Sequence, residues 1–126
     1  MDAATLALHQ PETAPFRAAA AEGRFVLPHC RACDRAHWYP RAICPLCGSA
    51  EVEWRAASGN GTIYSVSVMR RADPPYALAW VTLAEGPTML TTLVDCDIDM
   101  ATIGQAVRVV VRAGADGVAV PLVTPA

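Results

Sequence analysis

Cys30-Arg31-Ala32-Cys33 and Cys44-Pro45-Leu46-Cys47 are two matched C-x2-C pairs separated by ten residues, and they decide the fold of this 126-residue chain. Two such pairs a short loop apart can place four thiolates at the corners of one tetrahedron, which zinc binds with Zn–S bonds of about 2.3 Å. A shell of four thiolates leaves no open position for a reacting water. The pattern therefore predicts a structural zinc ribbon in which Cys30, Cys33, Cys44 and Cys47 are the metal ligands.

Other occupants of this cysteine cluster remain open from the sequence. Iron in a rubredoxin-like centre uses the same sulfur tetrahedron, and a pair of disulfides or free thiols is the remaining alternative. His29 and His37 lie beside and between the pairs, but neither is expected to bind the metal because four thiolates complete the shell. Gly48 follows the second pair and accepts a positive φ, whereas Asp34 stands at the matching position after the first pair.

Composition and charge restrict the class of protein. The chain is 53% hydrophobic and 17% charged, which is typical of a folded globular protein. Its formal net charge is −2 and all ten basic residues are arginine, whereas nucleic-acid binders usually carry a basic excess. No apolar run approaches the roughly 18 residues of a membrane span, and the first residues lack the features of a signal peptide. We therefore expect a cytoplasmic protein, in which paired cysteines indicate metal more often than disulfides.

The chain is predicted to have three parts: a leader and helix at 1–23, the zinc ribbon at 24–57 and a second domain at 58–126. Thr13 is placed to cap a helix that Gly23 ends, with alanines between them that favour helix. Turn residues at 58–61 mark the boundary between the ribbon and the second domain.

After residue 61 the pattern predicts only β-strands. Strands are expected at 62–69, 76–83, 88–94, 107–112 and 118–122, with a hairpin turn at 113–117 and an irregular crossover at 95–105. In the first of them Tyr64, Val66 and Val68 should share one face, and the second is apolar enough to be buried on both faces. Five short strands with one longer crossover indicate a mainly β protein that ends in a five-stranded OB-fold barrel, with an SH3-like barrel as the alternative.

No pattern in the chain predicts a catalytic centre. A nucleophile paired with a base, a phosphate-binding loop and a dinucleotide fingerprint are all missing from the sequence. Cys96, the odd cysteine, lies between Asp95 and Asp97, whose carboxylates should raise the pKa of its thiol rather than activate it. The series that these aspartates form with Asp99 is a weak match to a calcium loop and is more typical of a solvated turn.

The chain resembles the thirty-fifth domain-of-unknown-function family, which joins a rubredoxin-like zinc ribbon to an OB fold. The resemblance rests on the N-terminal helix and on the motifs FVLPHCRAC at 25–33, HWYPR at 37–41, CPLCG at 44–48 and GTIYS at 61–65. It continues through 94–96, 103–104 and 107–109 and covers nearly the whole chain from about Thr13.

The resemblance implies a non-catalytic accessory subunit that docks on a thiolase-like enzyme, an aldolase or acyltransferase acting on acyl-CoA in steroid side-chain or related lipid metabolism. It implies a hetero-oligomer whose partner supplies the catalytic residues, and help in binding or channelling acyl-CoA. Trp38, Tyr39 and Arg41, which flank the cysteines, are the expected partner contacts. Arg70 and Arg71 are candidates for CoA phosphates on electrostatic grounds, as are Arg108 and Arg112.

Two other functions remain open from the sequence. Ribbons and OB folds both occur in single-stranded nucleic-acid binders, and Tyr64, Tyr76 and Trp80 are aromatic residues on predicted strands, but the acidic charge balance weighs against this function. Rubredoxin-like electron transfer would need bound iron with a redox couple.

Overall fold

The computed structural model describes residues 9–114 and 117–126, and these form two compact units. The first unit holds the described residues up to Ala57 and those of Val111–Val120, and the second holds Ser58–Val110 and Pro121–Ala126. Most of the predicted leader, residues 1–8, and positions 115–116 of the predicted hairpin turn lie outside the described residues. The predicted three-part division remains a proposal. None of the helices in the described ranges is long and apolar enough to span a membrane.

The N-terminal segment forms a short helix with a glycine at its end. A 3-10 turn at Pro11–Thr13 leads into helix α1, Ala14–Ala21. Thr13 occupies the N-cap position, but its hydroxyl donates to the Gln10 carbonyl, so the predicted side-chain cap is wrong. The predicted end is confirmed, since Gly23 has φ of 78° and its N–H bonds the Ala20 carbonyl while the Arg24 N–H bonds that of Ala19.

The zinc-ribbon region is a three-stranded antiparallel sheet in the order β2–β1–β3. Its strands are β1, Val26–Cys30; β2, Arg35–Ala36; and β3, Val52–Ala56. β1 is the central strand, with His29 opposite Ala36 on one side and Pro28 opposite Trp54 on the other. β1 is also nearly completely buried, which fits its apolar sequence VLPHC. The first metal-site cysteine, Cys30, is therefore held at the end of the best-packed strand of the ribbon.

The predicted β-strands close into a barrel. They are β4, Asn60–Met69; β5, Tyr76–Leu83; β6, Thr88–Leu93; β7, Ala106–Ala113; and β8, Ala119–Pro125. The closed order is β4–β5–β6–β8–β7, with β4 paired to β7 and a parallel contact between β6 and β8 at Leu93 and Val123. A five-stranded Greek-key barrel of this kind confirms the predicted OB-type domain.

The burial of β5 in the barrel differs from the prediction. Ala77, Ala79, Val81 and Leu83 are buried, whereas Tyr76 and Trp80 on the other face of the strand are 42% and 45% exposed. The strand therefore has one buried face, and the prediction of burial on both faces is wrong. The reason is that an apolar composition does not distinguish a strand buried on both faces from one that leaves aromatic residues in solvent.

A β-bulge changes the alternation in β4. Ile63 pairs with Val81 and Ser65 with Trp80, so Tyr64 is the extra residue and is 68% exposed. After the bulge Val66 and Val68 pair with buried alanines of β5 and face inward, so only Tyr64 leaves the face predicted for it. The predicted turn at 58–61 is also shorter than expected, because β4 begins at Asn60.

Candidate metal centre and the surfaces around it

Two tight turns present the four cysteines. Cys30 ends β1, and Asp34 after the first pair has φ of 54°, the left-handed conformation that Gly48 adopts at the matching position with φ of 80°. In the second turn the Gly48 N–H bonds the Cys44 carbonyl at 2.9 Å, and the Cys44 N–H bonds the Ser49 carbonyl at 2.8 Å. The residue that follows each cysteine pair therefore has a left-handed conformation, although only one of the two is glycine.

The four sulfur atoms form one cluster. The Sγ atoms of Cys30, Cys33, Cys44 and Cys47 all lie within 4.8 Å of one another, and the cysteines are free thiols. Cys30 Sγ is 3.5 Å from Cys47 Sγ, and Cys33 Sγ is 3.8 Å from Cys44 Sγ. A tetrahedral centre with Zn–S bonds of about 2.3 Å requires sulfurs about 3.8 Å apart. The arrangement thus fits a single tetrahedral metal ion, and within the described residues it is the group that could hold one.

Backbone N–H groups point at these sulfurs. The Leu46 N–H donates to Cys44 Sγ at 3.4 Å. The Cys33 N–H has the largest effect on Cys30 and lowers the pKa of its thiol to about 7. Burial opposes this shift, whereas the neighbouring thiols and the Ala32 N–H add to it. The Ser49 N–H favours the Cys47 thiolate in the same way, but the Cys30 thiol, desolvation and the other two sulfurs outweigh it and raise the pKa of Cys47 to about 12.

The two opposite pKa shifts share the hydrogen bond between Cys47 and Cys30, which favours a thiolate at Cys30 and a thiol at Cys47. A first thiolate is stabilised by the N–H donors around it, whereas further thiolates within 4.8 Å repel it unless a cation lies between them. A divalent ion at the centre would remove that repulsion and allow all four sulfurs to ionise. The donor set is therefore that of a metal centre rather than of a reactive cysteine.

The two nearby histidines lie outside the sulfur cluster. His29 Nε2 is 2.8 Å from Asp34 Oδ1, and this hydrogen bond, with the His29 charge next, lowers the pKa of Asp34. His37 is buried, and its Nδ1 donates to the Tyr39 carbonyl at 3.2 Å. Burial lowers the pKa of His37, and its Nε2 has no hydrogen-bond partner within the described structure. Both rings have structural roles beside the cysteines.

The predicted partner contacts divide between packed and exposed side chains. The Trp38 ring is half-buried, with its centroid 4.9 Å from that of Phe16 and 5.4 Å from that of Tyr39. Phe16 also contacts Phe25 and Trp54, so α1 is attached to the ribbon through one aromatic cluster. Tyr39 is 39% exposed and donates its hydroxyl to Gln10 Oε1, and Arg41 is exposed.

The predicted CoA-binding arginines lie at the end of β4. Arg70 forms an exposed ion pair with Asp99, and Arg71 beside it is exposed. Asp97 accepts a hydrogen bond from the Asp99 N–H and so caps a 3-10 turn, Ile98–Met100. The acidic series therefore orders the crossover loop, as the interpretation of a solvated turn expects.

Cys96 is half-buried, and burial, followed by Asp97 and Asp95, raises the pKa of its thiol. The expected effect of the carboxylates is confirmed, although burial is the larger cause. A raised pKa keeps the thiol protonated and unreactive.

Sequence reasoning missed two features around these sites. One is the packing of Phe16 on Trp38, which depends on contacts more than twenty residues apart and has no local signal. The other is the exposed apolar surface of β5 and β6, where Trp80 and Leu90 are each 45% exposed. The alternation of small residues at 77 and 79 with large ones at 76, 78 and 80 could have indicated that surface.

Comparison with protein families matches two consecutive domains, which meet within β3, four residues before the break between the two compact units. Residues 17–53 match the family model of the ChsH2 rubredoxin-like zinc ribbon domain, and residues 54–112 match that of the ChsH2 C-terminal OB-fold domain. A DUF35 domain-containing scaffold protein of Methanothermobacter thermautotrophicus is 36% identical over 100 residues, which cover 71% of this chain and 75% of that protein.

Two further similarities involve proteins with an enzymatic context. A probable enoyl-CoA hydratase alpha subunit of Thermomonospora curvata is 35% identical over 94 residues, which are 71% of this chain but 30% of that subunit. The chain thus spans under a third of the length of that relative. Among solved structures, a chain of the Ltp2-ChsH2(DUF35) aldolase is similar with a TM-score of 0.78 and 31% identity, over 90% of this chain and 93% of that chain.

Proposed function

The chain belongs to the DUF35 family, and we propose that it is a non-catalytic accessory subunit that docks on an enzyme acting on acyl-CoA. The observation that carries this proposal is the similarity, over 90% of the chain, to a chain of the Ltp2-ChsH2(DUF35) aldolase. The names of two relatives, a scaffold protein and an enoyl-CoA hydratase subunit, support the same function. The partner is a thiolase-like aldolase or acyltransferase in steroid side-chain or related lipid metabolism, and it supplies the catalytic residues.

The metal of the proposed subunit is zinc, bound by Cys30, Cys33, Cys44 and Cys47. Sulfur separations of 3.5 and 3.8 Å and the N–H donors to sulfur support this assignment, and the matched ribbon family is named for zinc. The ion joins the two knuckles and contributes folding free energy to a ribbon too small for a large core. The proposal places the protein in the cytoplasm, where thiols stay reduced and available to metal.

The proposed contacts with the enzyme and its substrate come from exposed residues. Tyr39 and Arg41 reach solvent beside the metal centre, while Trp38 supports Tyr39 from within the aromatic cluster. Arg71 is the proposed contact for CoA phosphates, and Arg70 joins it if the exposed pair with Asp99 opens. An exposed ion pair of this kind contributes little stability, so exchanging its carboxylate for phosphate costs little.

Affinity purification of the tagged full chain from its own host tests the proposed function. We expect an acyl-CoA enzyme to co-purify at fixed stoichiometry, with one zinc per chain by metal analysis. The double variant Tyr39→Ala, Arg41→Glu should weaken this complex. The control variant Arg31→Glu, which changes an exposed residue of the first knuckle, should not. Purification of the chain without such an enzyme would contradict the function. Iron with a reversible redox couple in place of zinc would instead support electron transfer.

A further inference from the structure

One face of the barrel exposes apolar side chains and no charge. The side chains at even-numbered positions of β5 and β6 point outward, because the odd-numbered positions of both strands are buried in the barrel. All these outward residues are Tyr, Leu, Trp or Thr. Their pairing partners on β4, such as Ser65 and Ser67, are also uncharged. We call this outward surface of β5 and β6, with Tyr64 at the bulge of β4, the neutral face.

The strand register concentrates the largest apolar groups at the centre of the neutral face. Trp80 lies directly opposite Leu90 on β6 and opposite Ser65 on β4, next to the bulged Tyr64. Trp80 and Leu90 are each 45% exposed, Tyr76 is 42% exposed and Tyr64 is 68% exposed. These four residues together leave roughly 400 Å² of largely apolar side chain in solvent, given 150–250 Å² for a whole aromatic side chain. The largest apolar patch on a monomer is typically about 300–600 Å² and is often functional, so this patch is a candidate binding surface.

The charge of the neutral face selects the kind of partner. A single-stranded nucleic acid stacks its bases on aromatic residues but also needs basic groups along its backbone, and the outward positions of β5 and β6 carry none. Arginine occurs instead on β7, where Arg108 is exposed. An uncharged centre with aromatic anchors and hydroxyl-bearing residues around it has the composition of a protein–protein interface.

We propose that the neutral face is where the acyl-CoA enzyme subunit docks, through an apolar and uncharged surface of its own. The inference rests on the proposed function and adds the surface that performs it. About 400 Å² of apolar area is the core of one side of a standard interface, which buries about 800 Å² per partner. The similarity of this chain to a chain of the Ltp2-ChsH2(DUF35) aldolase favours the enzyme over a second copy of this chain as the occupant.

Thr replacement of the two central residues tests this docking surface. Threonine keeps the preference for β-structure, and both side chains are half in solvent, so the Trp80→Thr, Leu90→Thr double variant should fold with its zinc content unchanged. The enzyme identified by co-purification with the wild-type chain is then titrated against each variant by biolayer interferometry. We expect the double variant to bind at least about 100-fold more weakly, since aromatic and aliphatic anchors at an interface centre dominate affinity. Val120→Thr, a control on β8 whose side chain is 39% exposed and lies outside the neutral face as defined, should bind within about threefold of wild type.

The possible results distinguish this inference from the function on which it rests. Equal binding of the double variant and wild type would overturn the docking face and leave the accessory function intact. Capture of no acyl-CoA enzyme by the wild-type chain would overturn both. A wild-type dimer that the double variant dissociates, seen by size-exclusion chromatography with light scattering, would assign the face to a second copy. Binding of a thymidine 30-mer that the double variant loses would assign it to nucleic acid.

Discussion

Replacement of Phe16 by alanine should detach helix α1 from the ribbon. The Phe16 ring contacts three other aromatic rings of the ribbon unit, with centroid distances of 4.9 Å to Trp38, 6.2 Å to Phe25 and 6.4 Å to Trp54. The helix has only eight residues and buries little besides Ala19 and Ala20, so it is too short to be stable without tertiary packing. Removal of the ring therefore removes most of what holds the helix in place.

The expected loss of stability follows from these contacts. Each aromatic pair contributes about 0.5–1.5 kcal/mol beyond its buried area, and a fully buried Phe→Ala exchange costs about 3–5 kcal/mol. Phe16 is half-buried, so we expect Phe16→Ala to lower the free energy of unfolding of the ribbon by about 2–3 kcal/mol. Phe16→Leu keeps most of the apolar volume but loses the ring geometry, and it should cost about 1 kcal/mol.

Urea unfolding followed by tryptophan fluorescence measures this loss. In a Trp80→Phe background the emission comes from Trp38 and Trp54, both within the aromatic cluster, so the signal reports on the ribbon rather than the barrel. Metal is kept saturating so that zinc loss does not contribute. A decrease below about 0.5 kcal/mol for Phe16→Ala, or equal losses for the alanine and leucine variants, would refute the aromatic attachment of the helix.

Three further predictions concern single positions. Gly61→Ala should lower barrel stability by about 1–3 kcal/mol in thermal unfolding, because a Cβ there would lie 2.6 Å from Val81 Cγ1; an unchanged midpoint would contradict it. Asp34→Gly should retain metal, whereas Asp34→Val should lower stability by about 1–2 kcal/mol, because residue 34 has a φ of 54° that a β-branched side chain disfavours. Equal resistance of the two variants to a metal chelator would show that this backbone conformation is unimportant. Because burial holds the pKa of His37 below 6.5, the unfolded chain takes up the proton first, and stability should fall as the pH drops below 6.5. His37→Gln should flatten that decline in pH-dependent urea titrations, and an identical slope would exclude His37 as its source.

The sequence predicted those parts of the fold that local patterns determine. The cysteine spacing identified the four clustered sulfurs, and the five strands predicted after residue 61 identified the barrel. Gly23 was recognised as the helix end because positive φ favours glycine. Even Asp34, which breaks the glycine pattern, adopts the backbone conformation expected of its position.

Features that depend on distant contacts were not predictable in the same way. The bulge moves Tyr64 to the outside, and Gly61 lies so close to Val81 that an added Cβ would be 2.6 Å from its Cγ1; neither fact is visible in the hydrophobic pattern. Burial of only one face of β5 results from what packs against it rather than from its composition. Trp38 was predicted as a partner contact from its place beside the cysteines, yet its ring also packs on Phe16, a contact that only the fold shows.

Native mass spectrometry of the tagged chain, purified from its own host without chelator, tests the accessory-subunit account most directly. The account predicts one assembly whose mass equals a fixed number of copies of this chain, each with one zinc ion, plus an acyl-CoA enzyme subunit. The catalytic residues of this assembly should belong to the enzyme subunit and not to this chain. A chain that appears alone or only with copies of itself, while turning over acyl-CoA substrates unaided, would contradict the account.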